Sequence, residues 1–269
     1  MKVVRGVADL RGALDPGPGR APSIGLVPTM GALHEGHASL IAAAREGSEL
    51  VVVSLFVNPA QFGRGEDLEQ YPRDETRDIA TAEAAGVDIL FAPDAEQMYP
   101  DGFDTWIDPG KVGSYLEGSS RPGHFRGVAT ICTKLFLLVK PKRAYFGRKD
   151  AQQVAVVKQL VRDLELPVEI VACPTVRDAD GLALSSRNVF LSPEERQVAL
   201  ALPRALQAGL GAHRSGTDAV RAAREVLDAE PELRVDYVAE ADLDGPTLAA
   251  AVVVGSTRLI DNVLLEGEA

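Results

Sequence analysis

Cysteine is scarce in this 269-residue chain: there are two, Cys132 and Cys173, far apart and with no Cys-x-x-Cys spacing. The four histidines, His34, His37, His124 and His213, do not complete a zinc-ligand pattern either. A structural zinc site and a disulfide scaffold are therefore not expected, and two separated thiols suit a reducing compartment. Gly-x-x-x-x-Gly-Lys-Ser/Thr is absent, and no Gly-x-Gly-x-x-Gly follows an apolar run, so any phosphate is bound by another route. No apolar run approaches the ~20 residues of a membrane span, and the first residues lack a basic-then-apolar leader. A cytoplasmic protein is expected. Basic residues are the minority, 28 against 39 acids, for a net charge of −11. A broad nucleic-acid-binding face works by neutralising phosphates with many lysines and arginines, and this balance argues against one. Any polyanion must be small and met locally.

What is present suffices for a sizeable core: 46% hydrophobic and 25% charged residues, with no internal repeat or low-complexity stretch. One stretch stands out, Leu26-Val27-Pro28-Thr29-Met30-Gly31-Ala32-Leu33-His34-Glu35-Gly36-His37. The apolar residues from Ile24 to Val27 predict a strand. Pro28 and Gly31 predict a bend, and the small and apolar residues from Gly36 to Ala44 predict a helix opening near His37. A helix start offers unpaired N–H groups and partial positive charge to an anion, and two imidazoles three positions apart could face the same one.

A short strand at Lys2–Val4 and a helix at Val7–Leu14 come before it. After it, the run 50–56 reads as a strand covered on both faces, and it ends in Asn58-Pro59-Ala60-Gln61, two neutral amides where open α/β sheets place ligand loops. The polar segment 63–73, carrying Glu66 and Asp67, has the length of a lid. A helix with Asp74 as N-cap, a strand at 87–92 and an irregular stretch to Gly110 follow. A glycine-rich loop with Arg121 and His124 leads into an apolar helix from Val128 to Val139. The strand 143–146 runs into Gly147-Arg148-Lys149-Asp150, whose lysine suits an anion and whose aspartate suits a ribose hydroxyl, or merely caps the next helix. A last strand of this series is predicted at 167–172. Strands alternating with helices from Ser23 to Ala172 predict a doubly wound parallel sheet.

Past Pro174 the pattern changes. A polar hinge holding Leu184-Ser185-Ser186-Arg187 precedes Ser192-Pro193-Glu194-Glu195, an N-cap with proline and acids in the first turn. A second helix near 217–229 and strands at 234–239, 252–255 and 258–264 predict a smaller α+β domain. The domains expected are 1–175 and 176–269.

Five blocks together, Pro28 to His37, Phe56 to Phe62, His124-Phe125-Arg126-Gly127-Val128, Gly147 to Asp150 with Gln153, and Leu184 to Asn188, resemble the pantothenate synthetases, within the His-x-Gly-His adenylyl-transfer superfamily. The resemblance runs from about Val27 through Arg196. It implies a Rossmann-like ATP- and pantoate-binding domain, a C-terminal lid domain and a homodimer. It also implies a ligase that joins pantoate to β-alanine with ATP and Mg2+ through a pantoyl-adenylate, releasing pyrophosphate and AMP. Residue by residue, it implies catalytic duty for His37, His34, Lys149 and Arg187. ATP contacts are implied for Met30, Gly31, Ala32, Leu33, His34, Glu35, Gly36 and His37, for Gly147, Arg148, Lys149 and Asp150, and for Val176, Leu184, Ser185, Ser186 and Arg187. Met30, Asn58, Gln61, Gln153 and Arg121 are implied on the substrate side, while protein ligands to the metal are left unassigned. One departure is visible: the family usually carries an acid where this chain has Arg148. The same histidine motif also serves nucleotidyltransferases that adenylylate a phosphate-bearing acceptor, which is the alternative reading.

Overall fold

The computed structural model describes residues 1–63 and 65–266. Position 64, inside the predicted lid segment, and positions 267–269 lie outside the described residues. The chain divides into two compact units, Met1–Gly147 with Gln153–Cys173, and Arg148–Gln152 with Pro174–Ala269.

The first unit holds strands β1 (Lys2–Val4), β2 (Ile24–Thr29), β3 (Leu50–Leu55), β4 (Ile89–Phe91), β5 (Arg143–Gly147) and β6 (Glu169–Cys173). They form one parallel sheet in the order β1-β4-β3-β2-β5-β6. Helices α1 (Val7–Leu14), α2 (Glu35–Gly47), α3 (Glu75–Ala84), α4 (Ala95–Met98), α5 (Glu117–Ser120), α6 (His124–Val139) and α7 (Ala151–Asp163) connect them. Side chains alternate across a strand, and the core follows that period. Leu26, Val52, Ile89 and Phe91 face one apolar cluster, shared with Val128, Leu135 and Val139 of α6. Val27, Val51, Val53 and Leu90 face the other, shared with Leu40, Ile41 and Ala44 of α2. A sheet buried on both faces is why these strands read as continuous apolar runs. The strand order reverses between β2 and β5, so the loops leaving those two strands open at a topological switch point, where open α/β sheets bind ligands.

The doubly wound parallel sheet is as predicted, with shifts at helix starts. The helix predicted from Val128 begins at His124, because Gly123 takes a left-handed φ of 89° that turns the chain into it earlier. The helix expected near His37 starts at Glu35, because His34 is its N-cap.

The second unit carries α8 (Pro193–Ala199), α9 (Ala201–Arg214) and α10 (Ala219–Asp228), then strands β7 (Leu233–Asp242), β8 (Pro246–Val254) and β9 (Thr257–Leu264) in an antiparallel sheet ordered β7-β8-β9. Ser192 is the predicted N-cap, and with Glu195 it closes a capping box: the Glu195 N–H donates to Ser192 Oγ at 3.1 Å, and the Ser192 N–H donates to Glu195 Oε2 at 2.8 Å. The helix begun there breaks at Leu200 and resumes as α9. The central strand also starts six residues before the predicted Val252, since its alanines, Ala249, Ala250 and Ala251, are poor strand signals but are buried. Leu202, Leu206 and Leu210 of α9 share a core with Leu248, Val252 and Val254. Among the described residues no helix is long and apolar enough to cross a membrane.

Candidate active site

Strand β2 ends at Thr29, and Met30 to Leu33 carry the chain into α2. Gly31 and Ala32 both take positive φ, 91° and 51°. A Cβ on Gly31 would stand 2.9 Å from Asp78 Oδ2, so only glycine fits there. Ala32 has no such exemption, and its conformation is held from outside. The Ala32 N–H donates to Asp78 Oδ2 at 2.9 Å and the Leu33 N–H to Asp78 Oδ1 at 2.7 Å, with Asp78 only 3% exposed.

His34 and His37 form a capping box in which imidazoles replace the usual hydroxyl and carboxylate. The Gly36 N–H donates to His34 Nδ1 at 3.1 Å, and the His34 N–H donates to His37 Nδ1 at 3.3 Å. A backbone N–H can only donate, so both Nδ1 atoms accept. In the neutral rings the proton is thereby assigned to Nε2, and each histidine is a donor at that atom. The rings lie 4.1 Å apart, centre to centre.

Past β3, the turn Pro59–Gln61 and its N-cap Asn58 present the two predicted amides, both buried. Asn58 Nδ2 donates to Gln61 Oε1 at 3.0 Å, and Gln61 Nε2 points at Met30 Sδ, 2.9 Å away. Tyr99 OH donates to Asn58 Oδ1 at 2.8 Å. Burial drives the Tyr99 phenol well above its usual range, so it stays a donor. Met30, Asn58 and Gln61 are thus one connected cluster.

Arg121 is directed at Glu66, with Nη2–Oε2 at 2.6 Å and Nε within 3.3 Å of both carboxylate oxygens. Burial alone would raise the Glu66 carboxyl, but hydrogen bonds and charge from Arg121, with the Gly63 backbone, hold it below its ordinary value. Glu66 anchors the predicted lid segment there. Burial first, and then the Arg121 charge, push His124 down to about 4. Beside Met30 and Gly31 a cavity of about 630 Å³ opens over Phe56 and Asp78. Asn58, Gln61, His34 and His37 do not line it, so the amide cluster and the histidine pair, where polar groups converge, are the better site markers.

In the second unit, Asn262 Nδ2 donates to the carbonyls of Arg148 and Lys149, each at 2.9 Å, and fixes the turn Arg148–Asp150. The Arg148 guanidinium is engaged by Asp244: Nη1 reaches Oδ2 and Nη2 the backbone carbonyl, both at 2.9 Å. Lys149 Nζ lies 3.8 Å from Asp150 Oδ2. The Leu184 N–H donates to the Val176 carbonyl, closing a hairpin that Arg177 ties to buried Asp261. Ser185 then caps the turn Ser186–Phe190 by accepting the Arg187 N–H at 3.3 Å. Gly147 ends β5, and Gln153 lies in the first turns of α7. Asp78, Asp244 and Asn262 carry no local signal of these duties, since Asp78 and Asn262 act on backbone, and Asp244 on a guanidinium, distant in sequence. The histidine pair did carry one, the three-residue spacing of a capping box.

The sequence profile described as pantoate-beta-alanine ligase matches residues 2–264. A pantothenate synthetase of Roseiflexus sp. (strain RS-1) is 54% identical over 280 residues, covering 99% of this chain and 100% of that protein. Among solved structures, pantothenate synthetase from Thermus thermophilus superposes with a TM-score of 0.93 at 49% identity, over 99% of this chain and 100% of its own. Pantoate-beta-alanine ligase from Francisella tularensis, complexed with beta-gamma ATP and beta-alanine, gives 0.86 at 35% identity, over 100% and 99%.

Proposed function

Because the chain belongs to the pantoate–β-alanine ligase family, we propose that it condenses pantoate with β-alanine, converting ATP to AMP and pyrophosphate through a pantoyl-adenylate. The match along nearly the whole chain carries this reading, and the paired Nε2 donors of His34 and His37 support it chemically.

Two displacements are needed. A pantoate carboxylate oxygen bonds to the α-phosphorus of ATP as the bond to pyrophosphate breaks. The β-alanine amine then bonds to the acyl carbon, AMP leaves and the amine loses a proton. The substrate supplies the nucleophile in both steps, so the protein's work is positioning and stabilising negative charge. A helix N-terminus contributes only about 0.3–1 kcal/mol, whereas enzymes lower barriers by roughly 8 kcal/mol or more. Charged and hydrogen-bonding side chains must supply the rest. His34 and His37 would donate to phosphate oxygens from Nε2, and Lys149, Arg187, Ser185 and Ser186 would add charge and hydroxyl donors. Asn58 and Gln61, with Gln153, would read the pantoate hydroxyls beside Met30. An amide site of this kind rejects analogues lacking those hydroxyls, because its own buried polar atoms are then left unpaired.

Among the described residues no three His, Cys, Asp or Glu side chains gather as a metal cage. Magnesium is therefore proposed to enter on ATP, where such an ion keeps phosphate and water ligands and neutralises phosphate charge. A homodimer in the cytoplasm completes the proposal, the free, buried Cys132 and Cys173 suiting a reducing compartment. The test follows AMP and pyrophosphate with ATP, magnesium and pantoate, with and without β-alanine. Multiple turnovers and a new amide only when β-alanine is present support the ligase; turnover indifferent to pantoate and β-alanine overturns it. Light scattering at working concentration tests the dimer.

A further inference from the structure

We infer that His124 is a positioning residue for the hydroxy-acid substrate, acting through the backbone carbonyl of Gln61 to set the turn that carries Asn58 and Gln61. The inference rests on the reading of Gln61 as a pantoate ligand.

The first turn of α6 grips that turn at three points. His124 Nδ1 lies 2.8 Å from the Gln61 carbonyl, and a carbonyl only accepts, so Nδ1 carries the proton and donates. Asn58 Nδ2 donates to the Gly127 carbonyl at 3.2 Å. Gly127 itself comes so close that a Cβ there would sit 2.3 Å from the Ala60 carbonyl oxygen and 2.6 Å from the Gln61 nitrogen. Residues 124 and 127 share one helix face, so a single rigid element sets both ends of the amide turn.

The ring is oriented as well as placed. With the proton on Nδ1, Nε2 is the acceptor, and Arg121 Nη1 meets it at 3.2 Å. Glu66 fixes Arg121 in turn, and Arg121 Nη2 also approaches the Gln61 carbonyl, at 3.5 Å. A flipped ring would set carbon against both partners. His124 is 8% exposed, where an unmatched polar ring is costly, so the Glu66–Arg121–His124 chain holds one orientation. Its terminus is the backbone of the residue whose side chain lies between Met30 and Asn58. A carbonyl at the end of a short turn lacks a partner within that turn, and here the partner is His124.

The test compares three substitutions, with Gln61→Ala as reference, by Tm and by the KM for pantoate and for ATP. His124→Asn places an amide nitrogen where Nδ1 stood and keeps the donor. His124→Gln places its amide near Nε2, and His124→Leu keeps volume only, so both lose the donor. Loss of the donor is expected to raise the pantoate KM about tenfold while the ATP KM stays within about twofold, and Asn is expected to stay within about threefold of the parent. The inference is overturned if Gln61→Ala raises the pantoate KM and neither Leu nor Gln does, or if Asn is as impaired as Leu, or if both KM values rise together. An unchanged pantoate KM in Gln61→Ala removes the substrate reading itself, and this inference with it. Should the leucine variant fail to fold, the Asn and Gln pair makes the same comparison.

Discussion

Asp78 binds the backbone of Ala32 and Leu33 with its two carboxylate oxygens, at 2.9 and 2.7 Å, so an acid on α3 holds the loop that leaves β2. Ala32 lies at φ 51°, a left-handed conformation that costs an L-residue roughly 1–2 kcal/mol. Asp78→Asn would turn one acceptor into a donor facing a backbone donor. Stability is expected to fall by about 2–3 kcal/mol, and turnover by more than about tenfold as His34 loses its register. Ala32→Gly in the same background, which removes the φ penalty, is expected to recover part of the stability. Urea melts and steady-state kinetics on the three proteins check this, and parental turnover in Asp78→Asn would refute it.

Arg148 has a local partner, because its guanidinium meets Asp244 at 2.9 Å twice. Both side chains are mostly covered, 15% and 24% exposed, and Arg148 Nε is buried without a hydrogen-bond partner among the described residues. Asp244→Ala is expected to cost about 1–3 kcal/mol by leaving that charge uncompensated. Arg148→Glu is expected to cost more, and the swap Arg148→Glu with Asp244→Arg to recover most of the loss. A double-mutant cycle measures the coupling; additive losses would mean the pair contributes nothing.

The fold was legible where burial imposes a pattern. Apart from Ser54, residues 50–56 are apolar because β3 is covered on both faces, and Ser192 with Pro193 and two acids announces a helix start in four residues. Legibility failed where long-range packing decides: Ala249 to Ala251 form a central strand only because the unit's core covers them. At the site, the histidine spacing and the amides after β3 stood out as residue types in suggestive places. Asp78, Asn262 and Asp244 did not, since what they bind, backbone for the first two and the Arg148 guanidinium for the third, comes within reach only once the chain has folded. Arg121 was predicted, but its partner Glu66 lies 55 residues away and no local pattern joins them.

His124 gives stability a pH dependence with a definite sign. Its ordinary value is 6.5, and burial with the Arg121 charge lowers it to about 4 in the folded chain; Glu66 and Glu117 oppose the shift. The unfolded chain therefore binds the proton first as pH falls. The stabilising effect of a neutral His124 is full above pH 6.5, declines below it, and is gone once pH has fallen through 4. Between pH 8 and pH 5 this amounts to about 2 kcal/mol. Urea titrations of the parent and of His124→Asn, which does not titrate, should diverge across that window, and parallel curves would show that the ring is not held neutral.

His34 allows capping and donation to be separated. Its Nδ1 accepts the Gly36 N–H, a duty that an asparagine Oδ1 performs well at an N-cap, whereas the Nε2 proton has no counterpart in asparagine. His34→Asn is expected to melt within about 0.5 kcal/mol of the parent, and His34→Ala to lose about 1 kcal/mol. If the imidazole serves only as a cap, asparagine should also preserve turnover. If Nε2 donates to a phosphate oxygen in the transition state, asparagine and alanine should both lose about 10²-fold or more in kcat/KM. The same reasoning applies to His37, whose Nδ1 accepts the His34 N–H: His37→Ala is expected to cost far more in turnover than in stability, because one weak backbone hydrogen bond is lost with the ring while a charge-stabilising donor disappears. Near-parental activity in His37→Ala and His34→Asn together would leave the paired histidines as a capping device and move charge stabilisation to Lys149 and Arg187.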